Sequence, residues 1–446
     1  MADRDQTTVG DHDAANEAEA AADPARITRM IQEIAEIGGD HDGGVSRLAF
    51  THEERRAHAL VGGWMADLGM DVRTDAIGNT IGQLPGRTPT ARAIGTGSHL
   101  DSVPRGGRYD GVAGVVAGIE AARVLVENEV ALERPFRVVA FAAEEGARFG
   151  EPCIGSKAVT GKWNARNLER LVDVDGVSAP AAMQSVGLDP SQVESCRWDA
   201  DDWAGFLELH IEQAHVLQAI SRPIGLVDMV SGSTRVEFTM VGRAQHTGGT
   251  PMRLRKDALA AAAEVVLFAE QLANGPNYRG ARATVGRLDV SPNSITTIPG
   301  EVRFVLDMRD IDSDRQRRGA ARIAREATQI ADRRGMSCSY RILSDSSPAV
   351  LPAWLREITR DVCVELGMDY RVMTSGASHD SQVVNRVVPA AMIFVPSKNG
   401  LSHVAEEWTS AVELALGTDV LVRSVARLDA FLSGLAPDVA AVGAVA

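Results

Sequence analysis

Residues 91–120 read ARAIGTGSHLDSVPRGGRYDGVAGVVAGIE, and this stretch decides the fold. Residues 91–97 are short, apolar and Gly-punctuated, which predicts a buried strand. Val112, Val115, Val116 and Ile119 then recur at helical spacing and predict a helix face. Between them lies a Gly-rich polar segment holding His99, Asp101 and Asp110. A buried strand, a polar loop and a helix in that order make the repeating unit of a parallel sheet wrapped by helices.

The alternation extends outward from about residue 70. Residues 136–143, 206–211 and 387–395 predict further buried strands. Upstream, Asp23-Pro24 reads as an N-cap and first helical position, followed by Ile27, Met30, Ile31, Ile34 and Ile37 on one helical face. The middle follows a different rule. Residues 234–241, 284–290, 301–308 and 337–343 read as strands, and 255–272 and 312–334 as helices. That order, β-α-β-β-α-β, is the ferredoxin-like split unit. The expected architecture is therefore α/β. A mainly parallel-sheet domain is built from 23–230 and 346–446, with a ferredoxin-like α+β domain inserted at 231–345. Residues 1–22 are rich in Asp, Glu and Ala and read as a disordered tail.

Composition bounds the function. The chain has 446 residues, 45% of them hydrophobic, enough for two domains with a substantial core. Its formal charge of −14 argues against nucleic acid as the main partner, since phosphate binding needs a basic surface. An anionic substrate must then be drawn in by local positive charge, such as metal ions or a placed Arg. Cys153, Cys196, Cys338 and Cys363 are far apart and form no CxxC pair, so neither a disulfide framework nor a zinc finger is expected. No signal peptide and no apolar run long enough to span a membrane is read, and the expected setting is the cytoplasm.

Five clusters carry chemistry-bearing side chains at predicted strand ends or their loops. His99 can ligate a metal, with Asp101 placed to orient its ring. Asp110, in the next loop, can share that metal. Glu144 and Glu145 end a buried strand, where adjacent carboxylates are costly unless something positive compensates them. Successive residues on an extended chain point to opposite faces, so one can bind metal while the other handles a proton. His210 lies within a strand and His403 follows the last one. Taken singly, each has a plainer reading: a strand-end His bonded to a turn Asp, an N-cap, a solvated acidic loop, a core His, a loop His. Together they fall at the carboxyl edge of the sheet, where open α/β sheets place their sites. Mixed imidazole and carboxylate donors favour zinc, manganese or a similar divalent ion over magnesium.

The motifs GSHLDSVPRGGRYDG (97–111), FAAEEGARF (141–149), ELHIEQ (208–213), SITTIPGEVRFVLDMRD (294–310) and SGASHDS (375–381) resemble the M20-type metallohydrolases. More narrowly, they resemble the branch of N-carbamoyl-L-amino-acid hydrolases, allantoate amidohydrolases and β-ureidopropionases, in order from about residue 25 to 435. The resemblance implies a metal-dependent amidohydrolase acting on a linear C–N bond of a carboxylate-bearing carbamoyl or ureido acid. It implies His99, Asp110, Glu145, His210 and His403 as ligands of two divalent ions, Asp110 bridging, with zinc or manganese expected and cobalt or nickel also suited. It implies Glu144 as general base and Gln213 and His379 as substrate contacts. Asn293 and Arg309 would bind the substrate carboxylate, although Arg309 also reads as an ion-pair partner of Asp307 or Asp310. His246 would serve the neighbouring subunit of a homodimer paired through the inserted domain, steadying an oxyanion. The sequence departs from the branch at Ala214-His215, at Ser378 and after His246, which bears on substrate choice and removes no ligand. The nearest rival is a dimetal aminopeptidase or N-acyl-amino-acid deacylase of the wider group, and a more distant one is a non-catalytic binding protein.

Overall fold

A computed structural model of the chain describes residues 21–434. Its centre is a nine-stranded sheet whose four middle strands run parallel: Phe136–Phe141, Ala93–His99, Trp203–Ile211 and Ala390–Val395. Antiparallel strands flank them, Thr80–Leu84 and Asp71–Thr74 on one side and Ile224–Val230 on the other. The α/β reading holds, as a mixed sheet with a parallel centre.

The central strands are buried on both faces, and small residues let their neighbours approach. Gly97 has φ 145°, and a Cβ there would meet Val139 O at 1.8 Å. The Val112–Glu127 helix lies on the sheet so closely that a Cβ on Gly114 would meet Leu209 O at 2.3 Å. It is buried around most of its circumference rather than along one face, as its run of Val, Ala and Gly permits. The Ala411–Ser433 helix packs against it, opened by a Ser410–Glu413 capping box and closed by Gly434 at φ 67°. The first helix, Pro24–Ala35, is capped as read, by the Asp23 carboxylate accepting from Ala25 N–H.

Strands Ser337–Ser346, Gly232–Val241, Glu301–Asp310 and Arg282–Ser291 form a separate antiparallel sheet in that spatial order. Helices Ala258–Ala273 and Ser313–Arg333 bury Ala261, Val265, Ile323 and Ala327 against Val236, Phe238, Phe304 and Leu306 of one face. The other face bears Arg235 and Arg309, which donate to the Gly150 and Gly376 carbonyls, with Asp307 between them. Of the expected tail, residues 1–20 lie outside the described residues. Ala21 and Ala22 are docked: Arg123 Nη2 donates to Ala21 O at 3.0 Å and Ala22 N–H donates to Asp419 Oδ1 at 3.0 Å. Among the described residues no helix is long and apolar enough to cross a membrane.

Candidate active site

The carboxyl ends of the parallel strands gather the donors. His99 ends one strand, His210 lies near the end of the next, Glu144 and Glu145 follow Phe136–Phe141, and His403 follows Ala390–Val395. Asp110 stands at their centre. Its Oδ1 is 3.2 Å from His210 Nε2 and 3.6 Å from His99 Nε2, and its Oδ2 is 3.1 Å from His403 Nε2. His403 Nε2 is also 3.4 Å from Glu145 Oε2. Two donor trios result, His99–Asp110–His210 and Asp110–Glu145–His403, with Asp110 common to both. Glu144 lies alongside, its Oε2 3.8 Å from His99 Nε2.

The backbone and neighbouring groups aim these side chains. His99 Nδ1 lies 3.0 Å from the carbonyl of Asp101, and His210 Nδ1 2.8 Å from that of Ile211. Each Nδ1–H donates to a carbonyl, which leaves the Nε2 lone pair toward Asp110, the arrangement a ligating imidazole needs. Gly111 N–H donates to His210 Nε2 at 3.3 Å, in keeping with that tautomer. The Asp101 carboxylate lies beside the ring, its Oδ1 3.6 Å from His99 Nδ1, and has a second task. Its Oδ1 and Oδ2 accept from Glu144 and Glu145 N–H at 2.8 and 3.0 Å, fixing the acidic pair, while its carbonyl orients the ring.

Left-handed backbone marks the rim: Ala143 (φ 56°), Gly111 (φ 67°), Gln213 (φ 55°) and His403 (φ 61°). Non-glycine residues there carry strain that surrounding contacts must hold. At Gly111 a Cβ would meet the His99 ring at 2.5 Å, so a side chain has no room.

The charges are out of balance. Burial raises the Asp110 carboxyl, but hydrogen bonds from the cationic forms of His210, His403 and His99, a state distinct from the neutral ligating one, outweigh it and hold Asp110 well below the usual carboxylate range. Burial, then the Asp110 charge, pushes Glu145 up to about 8. Burial also raises Glu144, against the pull of His99 and the Cys153 thiol. Three carboxylates this close need more positive charge than neutral imidazoles supply. The nitrogen and oxygen donor set fits two borderline divalent cations sharing one carboxylate.

Two further expected residues join the cluster. Gln213 Nε2 donates to Asp110 Oδ2 at 2.7 Å, and the His379 ring stands edge-on to His210, centroids 4.5 Å apart. Burial keeps His379 neutral, well below the usual histidine range, with Ser375 Oγ 2.8 Å from its Nε2. Arg309 arrives from the smaller sheet. Its Nη1 donates to Gly376 O at 3.1 Å, while Nε and Nη2 pair with Asp307 as its plainer reading anticipates. His246 and Asn293 are exposed, and among the described residues no hydrogen bond or ion pair joins them to the cluster. His246 Nδ1 accepts from Gly248 and Gly249 N–H at 3.1 and 3.0 Å, which leaves its Nε2–H as an outward donor.

The motifs did not assign several supporting residues. Glu407 Oε1 accepts from Tyr109 and Asp110 N–H at 2.8 and 3.0 Å, and its Oε2 is 2.6 Å from Ser402 Oγ, itself 3.0 Å from Asp110 Oδ2. Gly107 leaves space for Glu407, whose Oε1 would lie 2.1 Å from a Cβ there. Glu54 accepts from Phe50 and Ala143 N–H, and Cys153 Sγ donates to Glu144 Oε1 at 3.0 Å. Only the acidic pair at 406–407, so soon after His403, hinted at any of these.

The model of peptidase family M20/M25/M40 matches residues 95–427. The chain is 38% identical to the N-carbamoyl-L-amino acid amidohydrolase of Geobacillus stearothermophilus, over 90% of this chain and 98% of that protein. It is 33% identical to the allantoate amidohydrolase of Bacillus subtilis, over 90% of this chain and 97% of that protein. The crystal structure of a hydantoinase/carbamoylase-family amidase from Burkholderia vietnamiensis superposes with a TM-score of 0.85 at 32% identity, covering 91% of this chain and 97% of that one. Matched across most of its length, the chain belongs to peptidase family M20/M25/M40.

Proposed function

We propose that this protein is a metal-dependent amidohydrolase that cleaves a linear C–N bond in an N-carbamoyl amino acid or allantoate, releasing ammonia. The observation that carries the reading is Asp110 shared by two donor trios with Glu144 beside them. The relatives supply the substrate class. Two divalent cations, zinc or manganese foremost and cobalt or nickel also suited, would be held by His99, Asp110, His210, Glu145 and His403. Bound there, they supply Lewis acidity and bring the pKa of water toward neutrality.

The protein's own groups do the rest. Glu144 takes a proton from water at Oε2, the oxygen not engaged by Cys153, and returns it to the leaving nitrogen. Gln213 and His379 line the approach beside Asp110 and His210. Arg309 grips the substrate carboxylate, for which a guanidinium offers paired donors. Asn293 joins Arg309 in holding the substrate carboxylate, and the exposed His246 acts in a partner subunit's site. That reading makes the enzyme a homodimer paired through residues 231–345, the insertion also serving as a lid. There the outward Nε2–H of His246 would meet a developing oxyanion, a donor worth about 2.7–4 kcal/mol.

The test is a panel of N-carbamoyl amino acids, allantoate, ureidopropionate, dipeptides and N-acetyl amino acids. Protein stripped by chelation and refilled with each metal is assayed for ammonia and, on the dipeptides and N-acetyl amino acids, for newly released amino groups. Ammonia from a carbamoyl or ureido acid is expected. Turnover confined to dipeptides or acetyl amino acids would replace this reading with a peptidase or deacylase.

A further inference from the structure

A second guanidinium stands on the loop that Arg309 touches, and the chemistry above leaves it unused. Arg282 is the direct antiparallel partner of Arg309 in the Arg282–Ser291 and Glu301–Asp310 pairing, so both side chains leave the same face. Arg309 donates to the Gly376 carbonyl. Arg282 lies against that same glycine: a Cβ there would meet Arg282 Cζ and Nη1 at 3.1 Å and Nη2 at 3.4 Å. Arg235, paired in register with Asp307, adds a third guanidinium. Asp307 serves Arg235 at 3.5 Å and Arg309 at 2.9 Å, and among the described residues Arg282 has no carboxylate partner. Like charges directly opposite on a sheet are destabilising. The loop they crowd leads from Gly376 to His379, whose ring contacts His210. An excess of positive charge is thus concentrated beside the candidate substrate site of an acidic protein.

We infer that Arg282 is a specificity-determining residue that receives a second anionic group on the substrate, so that carbamoyl derivatives of acidic amino acids are preferred. This rests on the amidohydrolase reading above. With the α-carboxylate on Arg309, the side-chain carboxylate of a dicarboxylic substrate neutralises Arg282 and relieves the repulsion between the two arginines. A substrate with a neutral side chain leaves Arg282 exposed and hydrated, which costs little, so such substrates are still turned over.

The experiment compares kcat/KM for N-carbamoyl-L-aspartate, N-carbamoyl-L-glutamate and N-carbamoyl-L-alanine in the metal-replete wild type, Arg282→Gln and Arg282→Lys. Because Arg282 is exposed, the variants should fold normally. The wild type is expected to favour at least one acidic substrate by roughly tenfold, the scale of one charge-assisted bond. Arg282→Gln should abolish that preference through KM and leave the alanine derivative within about twofold, with Arg282→Lys between. Ammonia from all three substrates without an acidic preference would overturn the assignment of Arg282. So would an equal loss on all three in Arg282→Gln, which would make Arg282 only a support for Arg309. No ammonia from any of them or from allantoate, in protein of full metal content, would overturn the amidohydrolase reading itself.

Discussion

Glu144 is held from several directions. Its N–H donates to Asp101, its carbonyl accepts from Cys153 N–H at 2.7 Å, and its Oε1 accepts from the Cys153 thiol. Only Oε2 is left to face His99 and the donors around Asp110. Glu144→Gln should keep its metal, measured by atomic absorption, and lose at least about a hundredfold in kcat, since a positioned general base contributes about 10²–10⁴. Undiminished turnover would remove Glu144 from that role. Cys153→Ala should lower kcat roughly five- to tenfold at unchanged KM and metal content, the scale of one hydrogen bond of about 1–1.5 kcal/mol. Cys153→Ser, which keeps a donor, should recover most of it, and a Ser variant no better than Ala would show that the thiol only fills space.

At the scale of elements, the site is a set of loops pinned by distant carboxylates. Glu407 holds the loop of Tyr109 and Asp110 through backbone N–H groups. Glu407→Gln should weaken metal binding roughly 10–100-fold by titration against a chelating dye, while the fold by circular dichroism stays unchanged. Unaltered metal affinity would mean that the loop holds Asp110 without help. These elements also show what was legible beforehand. Strand ends announced themselves because an apolar run stopped at His99, at Glu144-Glu145 or close to His210. Glu54 did not, and Glu407 did so only as half of an acidic pair, because they act on the N–H groups of residues 89 and 297 positions away, a pairing that only the folded topology creates. Asp101 was found beside the His99 ring, but the hold of its carboxylate on the Glu144 and Glu145 N–H groups is something no residue pattern encodes. The His52–Asp67 helix gave little signal, since its buried positions include Glu54 and His58 among Ala57, Val61 and Met65.

For the whole molecule, two measurements reach beyond the site. If His246 serves a partner's site, mixing His246→Ala with Glu144→Gln subunits should restore part of the activity that each parent lacks. A verified mixed dimer with no recovery would place His246 in its own chain's chemistry. Acid stability should depend on His58. Burial, then Arg55 and Arg47, holds its pKa well below the usual histidine value, with Nδ1 3.0 Å from Thr80 Oγ1. Below about pH 6.5 the unfolded chain takes up a proton that the folded one refuses, so stability present above that pH falls as acid is added. His58→Gln should therefore narrow the drop in Tm between pH 7 and pH 5, and an unchanged drop would move the acid sensitivity elsewhere.

Arg309 joins the two sheets and is also the proposed grip on the substrate, and its hydrogens can be counted. A guanidinium has five N–H bonds. Asp307 engages one on Nε and one on Nη2, and Gly376 engages one on Nη1. One hydrogen on each terminal nitrogen is left for an incoming carboxylate. Tethering the sheets and holding the ligand thus draw on the same short supply, so a sliding of one sheet past the other should register directly as a change in how tightly the acid end is held.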